Sequence, residues 1–178
     1  LFLTIHYPTF ADMTYKEKLS KIRIQMEADH VDAYIIPSAD PHISEYLPKH
    51  FQCIPFVSGF SGSAGTLVIT QDFAGLWTDF RYFEQATEQL DNSGFDLVKQ
   101  KVQHAPEYIQ WLNSKLPKGS VVGTDEKLLS ILLGDLLTQQ LSSKGISLQH
   151  KDYLSPIWEN RPELPTDSAF LISEEHAG

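Results

Sequence analysis

Sulfur is scarce in this chain. Cys53 is the one cysteine among 178 residues, so no disulfide framework and no thiolate metal cluster can be built from it. A lone thiol fits a reducing compartment, and a cytoplasmic location is expected. Cations are also short. Fourteen Lys and Arg stand against 23 Asp and Glu, a formal net charge of -9. A phosphate-backbone partner needs clustered Lys and Arg, which argues against nucleic acid. The acidic excess is spread along the chain and reads as a solvated surface. Long apolar runs are missing too. None approaches the roughly 20 residues of a membrane-crossing helix, so no membrane partner is expected. No internal repeat or low-complexity tract stands out.

What remains is enough for one domain with a sizeable core. The chain begins at Leu1, and Leu1 to Phe10 lacks the positive start of a signal peptide. Residues 1–13 are read as a leader or tag remnant, residues 14–155 as the domain, and residues 156–178 as a linker toward a further domain.

Thr14-Tyr15-Lys16-Glu17 is a capping box. It opens a helix to about Ala28 with Leu19, Ile22 and Met26 on one face. Ala33 to Ile36, ended by Pro37, reads as a buried strand. Ser38 to His50 reads as a loop with one short helical piece near Ile43 to Leu47. Thr66–Thr70 and Gly75–Thr78 are too close for a crossover and predict an antiparallel hairpin. Arg81 to Leu90 predicts a helix, stopped by Asn92-Ser93-Gly94, and Phe95 to Val98 a strand. Pro106 opens the next helix. Val121-Val122 is a short strand. Lys127 to Ser142 predicts a long helix with Leu128, Ile131, Leu132, Leu136 and Leu141 inward. Ile146 to Leu148 is the last strand. Alternating strands and helices around one hairpin predict an α/β fold, a mixed β-sheet flanked by helices.

The segment Gly59-Phe60-Ser61-Gly62-Ser63-Ala64-Gly65 has the texture of an active-site loop. It is no P-loop, since no Gly-Lys-Ser/Thr follows, and no dinucleotide fingerprint, since a strand follows. Ser61 and Ser63 have no His placed to activate them, and no nucleophile elbow is present. A crowded turn is the structural reading. Asp40, His42 and Glu45 lie close together, but Pro41 interrupts them, and capping or loop hydrogen bonds compete with ligation. Cys53 sits in an apolar run and reads as a buried, inert thiol. Asp79 stands where a helix N-cap stands. Arg81 in a first helical turn opposes the helix dipole. An ion pair within the fold, or a carboxylate on a partner, accounts for it.

Four stretches then belong together: Ile36-Pro37-Ser38-Ala39-Asp40-Pro41-His42-Ile43-Ser44-Glu45-Tyr46, Phe56 to Thr66, Leu76-Trp77-Thr78-Asp79-Phe80-Arg81-Tyr82-Phe83, and Ile157-Trp158 with Arg161-Pro162-Glu163-Leu164-Pro165. In this order and spacing, over roughly residues 14 to 165, they resemble the N-terminal domain of Xaa-Pro aminopeptidases. The resemblance implies a creatinase/prolidase N-terminal fold, related to the ribonuclease H-like architecture. It implies a parent enzyme that removes a residue ahead of proline from short peptides. Two divalent metal ions, commonly manganese, would sit in a separate catalytic domain, with no metal ligand and no catalytic residue in this chain. It implies a homodimer, and a domain that walls the substrate cleft. Asp79, Arg81, Tyr82, Asp40 and His42 are the candidates for that cleft or a subunit interface. The alternative is a catalytically inactive peptide- or protein-binding module of the same fold. One position departs: the family usually has Gly between the Asp and Arg where this chain has Phe80. If that Gly uses positive φ, Phe80 strains the turn.

Overall fold

The computed structural model describes residues 13–103, 105–164, 166–168 and 170–176. Residues 1–12, nearly all of the segment read as a leader, lie outside the described residues, as does Pro165 of the fourth motif.

Helix α1 (Tyr15–Ala28) begins at the predicted capping box. Glu17 N–H donates to Thr14 Oγ1 at 3.3 Å, and Thr14 N–H donates to Glu17 Oε2 at 2.7 Å. Two N–H groups that the helix itself cannot satisfy are thus satisfied reciprocally.

Six strands follow: β1 (Ala33–Pro37), β2 (Thr66–Thr70), β3 (Ala74–Thr78), β4 (Asp96–Lys99), β5 (Val121–Thr124) and β6 (Ser147–His150). They form one sheet in the order β4-β3-β2-β1-β5-β6. Strand β2 runs antiparallel to both β1 and β3, and the remaining pairs are parallel. The sheet is therefore mixed, as the spacing predicts. Alternate residues feed opposite faces. Tyr34, Ile36, Leu67, Ile69 and Leu76 join one core cluster with Leu19, Ile22 and Met26 of α1. Ala33, Ile35, Val68 and Trp77 join the other, with Ile109 and Leu112 of α4 (Glu107–Lys115) and Leu137 and Leu141 of α5 (Ile131–Ser142). Both faces are covered, which is why β1 reads as continuously apolar rather than alternating.

Four local expectations are corrected. No helix forms at Ile43 to Leu47; a 3-10 turn (Lys49–Phe51) and α2 (Cys53–Ser58) come later. Pro55 is tolerated inside α2 because its missing N–H falls in the first turn, where no intrahelical acceptor exists. The helix expected from Arg81 is a 3-10 turn (Phe80–Tyr82) leading into α3 (Phe83–Gln89). The long helix expected from Lys127 is split. Asp125 caps a 3-10 turn (Glu126–Leu128), the chain extends through Leu129, and Ser130 caps α5 by accepting from Leu133 N–H at 3.1 Å. The split turns Ile131 and Leu132 outward, 86% and 80% exposed, while Leu128 joins the first cluster.

Candidate functional site

The inverted strand β2 brings its amino end to the carboxyl ends of its antiparallel neighbours β1 and β3, where Thr66 pairs with Pro37 and Trp77. In open α/β sheets the crevice beyond the carboxyl ends of parallel strands is the usual place for a ligand. Here a recess of about 310 Å³ lies there, with Ser38, Ile43, Gly65, Asp79, Gln100 and Ser130 among its walls.

The glycine turn forms one rim. Gly59, at φ +82, ends α2 in the left-handed conformation that glycine accepts without penalty. Gly62 is there for space, since a Cβ would stand 2.2 Å from Phe60 Cζ. Ser38 N–H donates to Gly65 O at 3.0 Å, Ser38 Oγ to Ser63 O at 3.0 Å, and Thr78 Oγ1 to Ala64 O at 2.7 Å. Ser61 Oγ accepts from both Gln85 Nε2 (3.0 Å) and Gln89 Nε2 (2.9 Å). A hydroxyl held by two amides, with no imidazole bonded to it, is a structural group rather than a nucleophile.

Asp79 and Arg81 form a bidentate ion pair at this end. Asp79 is 2% exposed. Its Oδ1 accepts from Arg81 N–H (3.1 Å) and Nε–H (2.8 Å), and its Oδ2 from Nη2 (2.8 Å). Asp79 thus both caps the 3-10 turn and grips the guanidinium with two oxygens. Hydrogen bonding to Asp79 raises the Arg81 pKa further. The Arg81 side chain stays 41% exposed. Its guanidinium lies 5.2 Å from the Tyr82 ring centroid. Tyr82 Oη shares a 2.7 Å hydrogen bond with Ser63 Oγ, which ties the pair to the glycine turn. Phe80 starts a 3-10 turn and is not among the residues at positive φ. The strain expected there does not arise; the ring is simply 67% exposed.

Asp40 is buried at 2% exposure, and its Oδ1 accepts from His42 N–H (3.0 Å) and Ser44 N–H (2.9 Å). Burial pushes this carboxyl up, but the donors at Ser44 and His42 outweigh it and hold the pKa below the usual range. Asp40 therefore shapes the loop, and His42 stands exposed on it. The loop also carries Ile43 at φ +55 and 70% exposure, a recess wall that hydrophobic patterning does not reveal. Ser130 is a second wall missed from the sequence; its signal was a Ser directly before the Leu-rich helical run that starts at Ile131.

Among the described residues no three His, Cys, Asp or Glu side chains gather as a metal site. The described residues do not offer the ligand set of a dinuclear metal centre. Cys53 is buried, and burial first of all pushes its thiol up to about 12, which suits an inert group. Among the described residues no helix is long and apolar enough to cross a membrane. A larger groove of about 970 Å³ opens at the opposite end of the sheet, beside His30, Phe73, Trp111 and Lys115. Size alone does not make it the site: the glycine turn and the Asp79–Arg81 pair both stand at the carboxyl end.

A mixed six-stranded sheet between helices, with this turn and this Asp-Arg pair at one end, defines a class. The chain belongs to the creatinase/prolidase N-terminal domain family, whose model matches residues 18–155. It is 41% identical over 151 residues to Xaa-Pro aminopeptidase ApepP of Drosophila melanogaster, covering 83% of this chain and 24% of that protein. It is 38% identical over 165 residues to a probable Xaa-Pro aminopeptidase P of Penicillium rubens, covering 91% of this chain and 27% of the relative. Among solved structures, the X-prolyl aminopeptidase of Caenorhabditis elegans superposes with a TM-score of 0.78 at 35% identity, over 86% of this chain and 27% of that one. That protein is described as a cytosolic enzyme with a di-nuclear active site. The chain spans about a quarter of the length of these relatives.

Proposed function

We propose that this chain is the non-catalytic N-terminal domain of a metal-dependent Xaa-Pro aminopeptidase, where it walls one side of the substrate cleft and contributes to a homodimer. The whole protein removes an N-terminal residue that precedes proline, from short peptides. Hydrolysis takes place at two divalent metal ions, manganese on this reading, held by residues outside this chain. The identities to named aminopeptidases support the reading, and the cytosolic nematode relative supports a cytoplasmic location.

The observation that carries the cleft role is the Asp79–Arg81 pair. A guanidinium clamped on one edge and 41% exposed is preorganised to meet a carboxylate. That carboxylate belongs to a short peptide or to a partner subunit. Tyr82, held by Ser63, positions the arginine, and the loop bearing Asp40 and His42 forms a second wall.

In the whole protein, Arg81→Ala lowers kcat/KM for a short Xaa-Pro peptide about 10- to 100-fold, the effect of losing about 1.5–3 kcal/mol of charged hydrogen bonding. An unchanged kcat/KM refutes the cleft role. The isolated chain with added manganese releases no N-terminal residue; measurable hydrolysis refutes the non-catalytic reading. Exposed Ile43, Tyr46 and Phe80 favour one second reading, a peptide- or protein-binding module without catalysis. Sequencing the gene past codon 178 separates the two by the presence or absence of a carboxylate and histidine set able to hold two metal ions.

A further inference from the structure

The segment after β6 does not trail away from the domain. Tyr153, Leu154 and Ile157 are buried in the first core cluster. Trp158 stacks face to face on Phe56, 4.1 Å between centroids and 5° between planes. Each ring of this stacked pair has a cation over it. Lys18 Nζ lies 4.3 Å from the Phe56 centroid, and the Arg161 guanidinium 5.2 Å from the Trp158 centroid.

Arg161 gathers the rest. Its Nε donates to His50 O at 2.9 Å and its Nη1 to Ser155 Oγ at 3.0 Å. Its Nη2 reaches Cys53 Sγ at 3.7 Å, and the Asp152 carboxylate lies 3.8 Å away. The side chain is only 11% exposed. Pro162 O is an acceptor only, so the 2.7 Å contact with His50 Nδ1 requires the tautomer protonated there, donating to Pro162 O. One guanidinium thus joins the departing segment to the Lys49–Phe51 turn and to the first residue of α2, on a cation-decorated aromatic stack.

We infer that residues 154–162 are a strap, latched by Arg161, which fixes the direction in which the chain leaves the domain and covers Cys53, so that releasing the latch unmasks this thiol while the sheet stays folded. In the closed state burial keeps the thiol protonated, with Arg161 opposing that trend, and little thiolate is present to react. The strap uses none of the residues assigned to the cleft.

Because Cys53 is the one cysteine, a thiol reagent reads the strap directly. The Cys53 thiolate displaces one aromatic thiolate from an aryl disulfide such as DTNB. A mixed disulfide forms, and the released nitrothiobenzoate is counted by its absorbance. On the 178-residue chain without denaturant, Arg161→Ala is expected to raise the labelling rate about 10- to 100-fold, the factor that its charged hydrogen bonds supply. Trp158→Ala removes the stack and raises the rate independently. Amide exchange in β1 and β2 is measured on the same variants and is expected to stay as slow as in the parent chain. Arg161→Lys keeps the charge without the planar fork, gives an intermediate rate, and is the milder variant if alanine impairs folding. Labelling unchanged in these variants, or acceleration matched by an equal loss of protection in β1 and β2, overturns the strap.

Discussion

Gly62 offers a direct test of the packing behind the candidate site. A Cβ there would stand 2.2 Å from Phe60 Cζ and 2.7 Å from Tyr82 Cδ1. Phe60 is fully buried and has no room to swing away. Forcing a methyl group into a packed site costs about 1–3 kcal/mol. Gly134 is the matched control. It lies within α5, and a Cβ there meets nothing within 4 Å. Replacing a helical Gly by Ala at such a place stabilises by about 0.5–1 kcal/mol. The same chemical change therefore has opposite signs at two glycines. For a chain of this size each kcal/mol moves Tm by about 2–4 °C. Gly62→Ala should lower Tm by about 2–12 °C, and Gly134→Ala should raise it by about 1–4 °C. Urea titration checks that both act on stability: the midpoints move apart while the slopes stay the same. If Gly62→Ala leaves the midpoint unmoved, the turn is not packed on Phe60 and Tyr82 as described, and the placement of Arg81 loses its support.

Two further outcomes follow. Ser130→Ala removes the cap of α5 and should cost about 0.5–2 kcal/mol by urea melt, whereas Leu132→Gln, at an 80% exposed position, should change little; the reverse ranking would restore a helix running unbroken from Lys127. Asp125 has its carboxyl pKa raised, chiefly by burial, with Asp152 adding to the shift and Lys127 and Arg161 opposing it. Its ionised form is disfavoured in the fold, so this group weakens folding above its folded pKa, and that cost fades as the pH falls through it. Asp125→Asn, which keeps an oxygen for the cap at Lys127 N–H, should raise Tm at pH 7 and lose that gain toward pH 4. A gain that grows on acidification would show the sign to be wrong.

Local signals in the sequence worked where local chemistry decides structure. Thr14 and Glu17 satisfy each other without outside help, so α1 was legible. The short link after Thr70 permits only a hairpin, so β2 and β3 were legible too. Patterning failed where a long-range contact chose between two local options. Leu128 fits a helical stripe with Leu132 and Leu136, but burial in the first cluster rotates it away and breaks the stripe at Leu129. Trp158 and Arg161 sit in a proline-flanked stretch that reads as extended, yet their ring and guanidinium find partners about 100 residues earlier in the chain, at Phe56, His50 and Cys53. At the candidate site the Asp79 cap and the choice between an ion pair and a partner's carboxylate for Arg81 were readable. The bidentate grip was not, because it depends on Phe80 entering a 3-10 turn without positive φ.

The strand order has a consequence for how the chain is made. β1 acquires one neighbour when β2 is complete at Thr70, but its other neighbour, β5, is not complete until Thr124. While a ribosome is between those points, one side of β1 offers unpaired N–H and C=O groups along Ala33, Tyr34 and Ile35, three positions that are fully buried in the finished fold. The span from Gln71 to Thr124 is thus the window in which a nascent chain is most exposed to pairing with a neighbour. A slow codon placed within it should reduce soluble yield more than the same codon placed after β5.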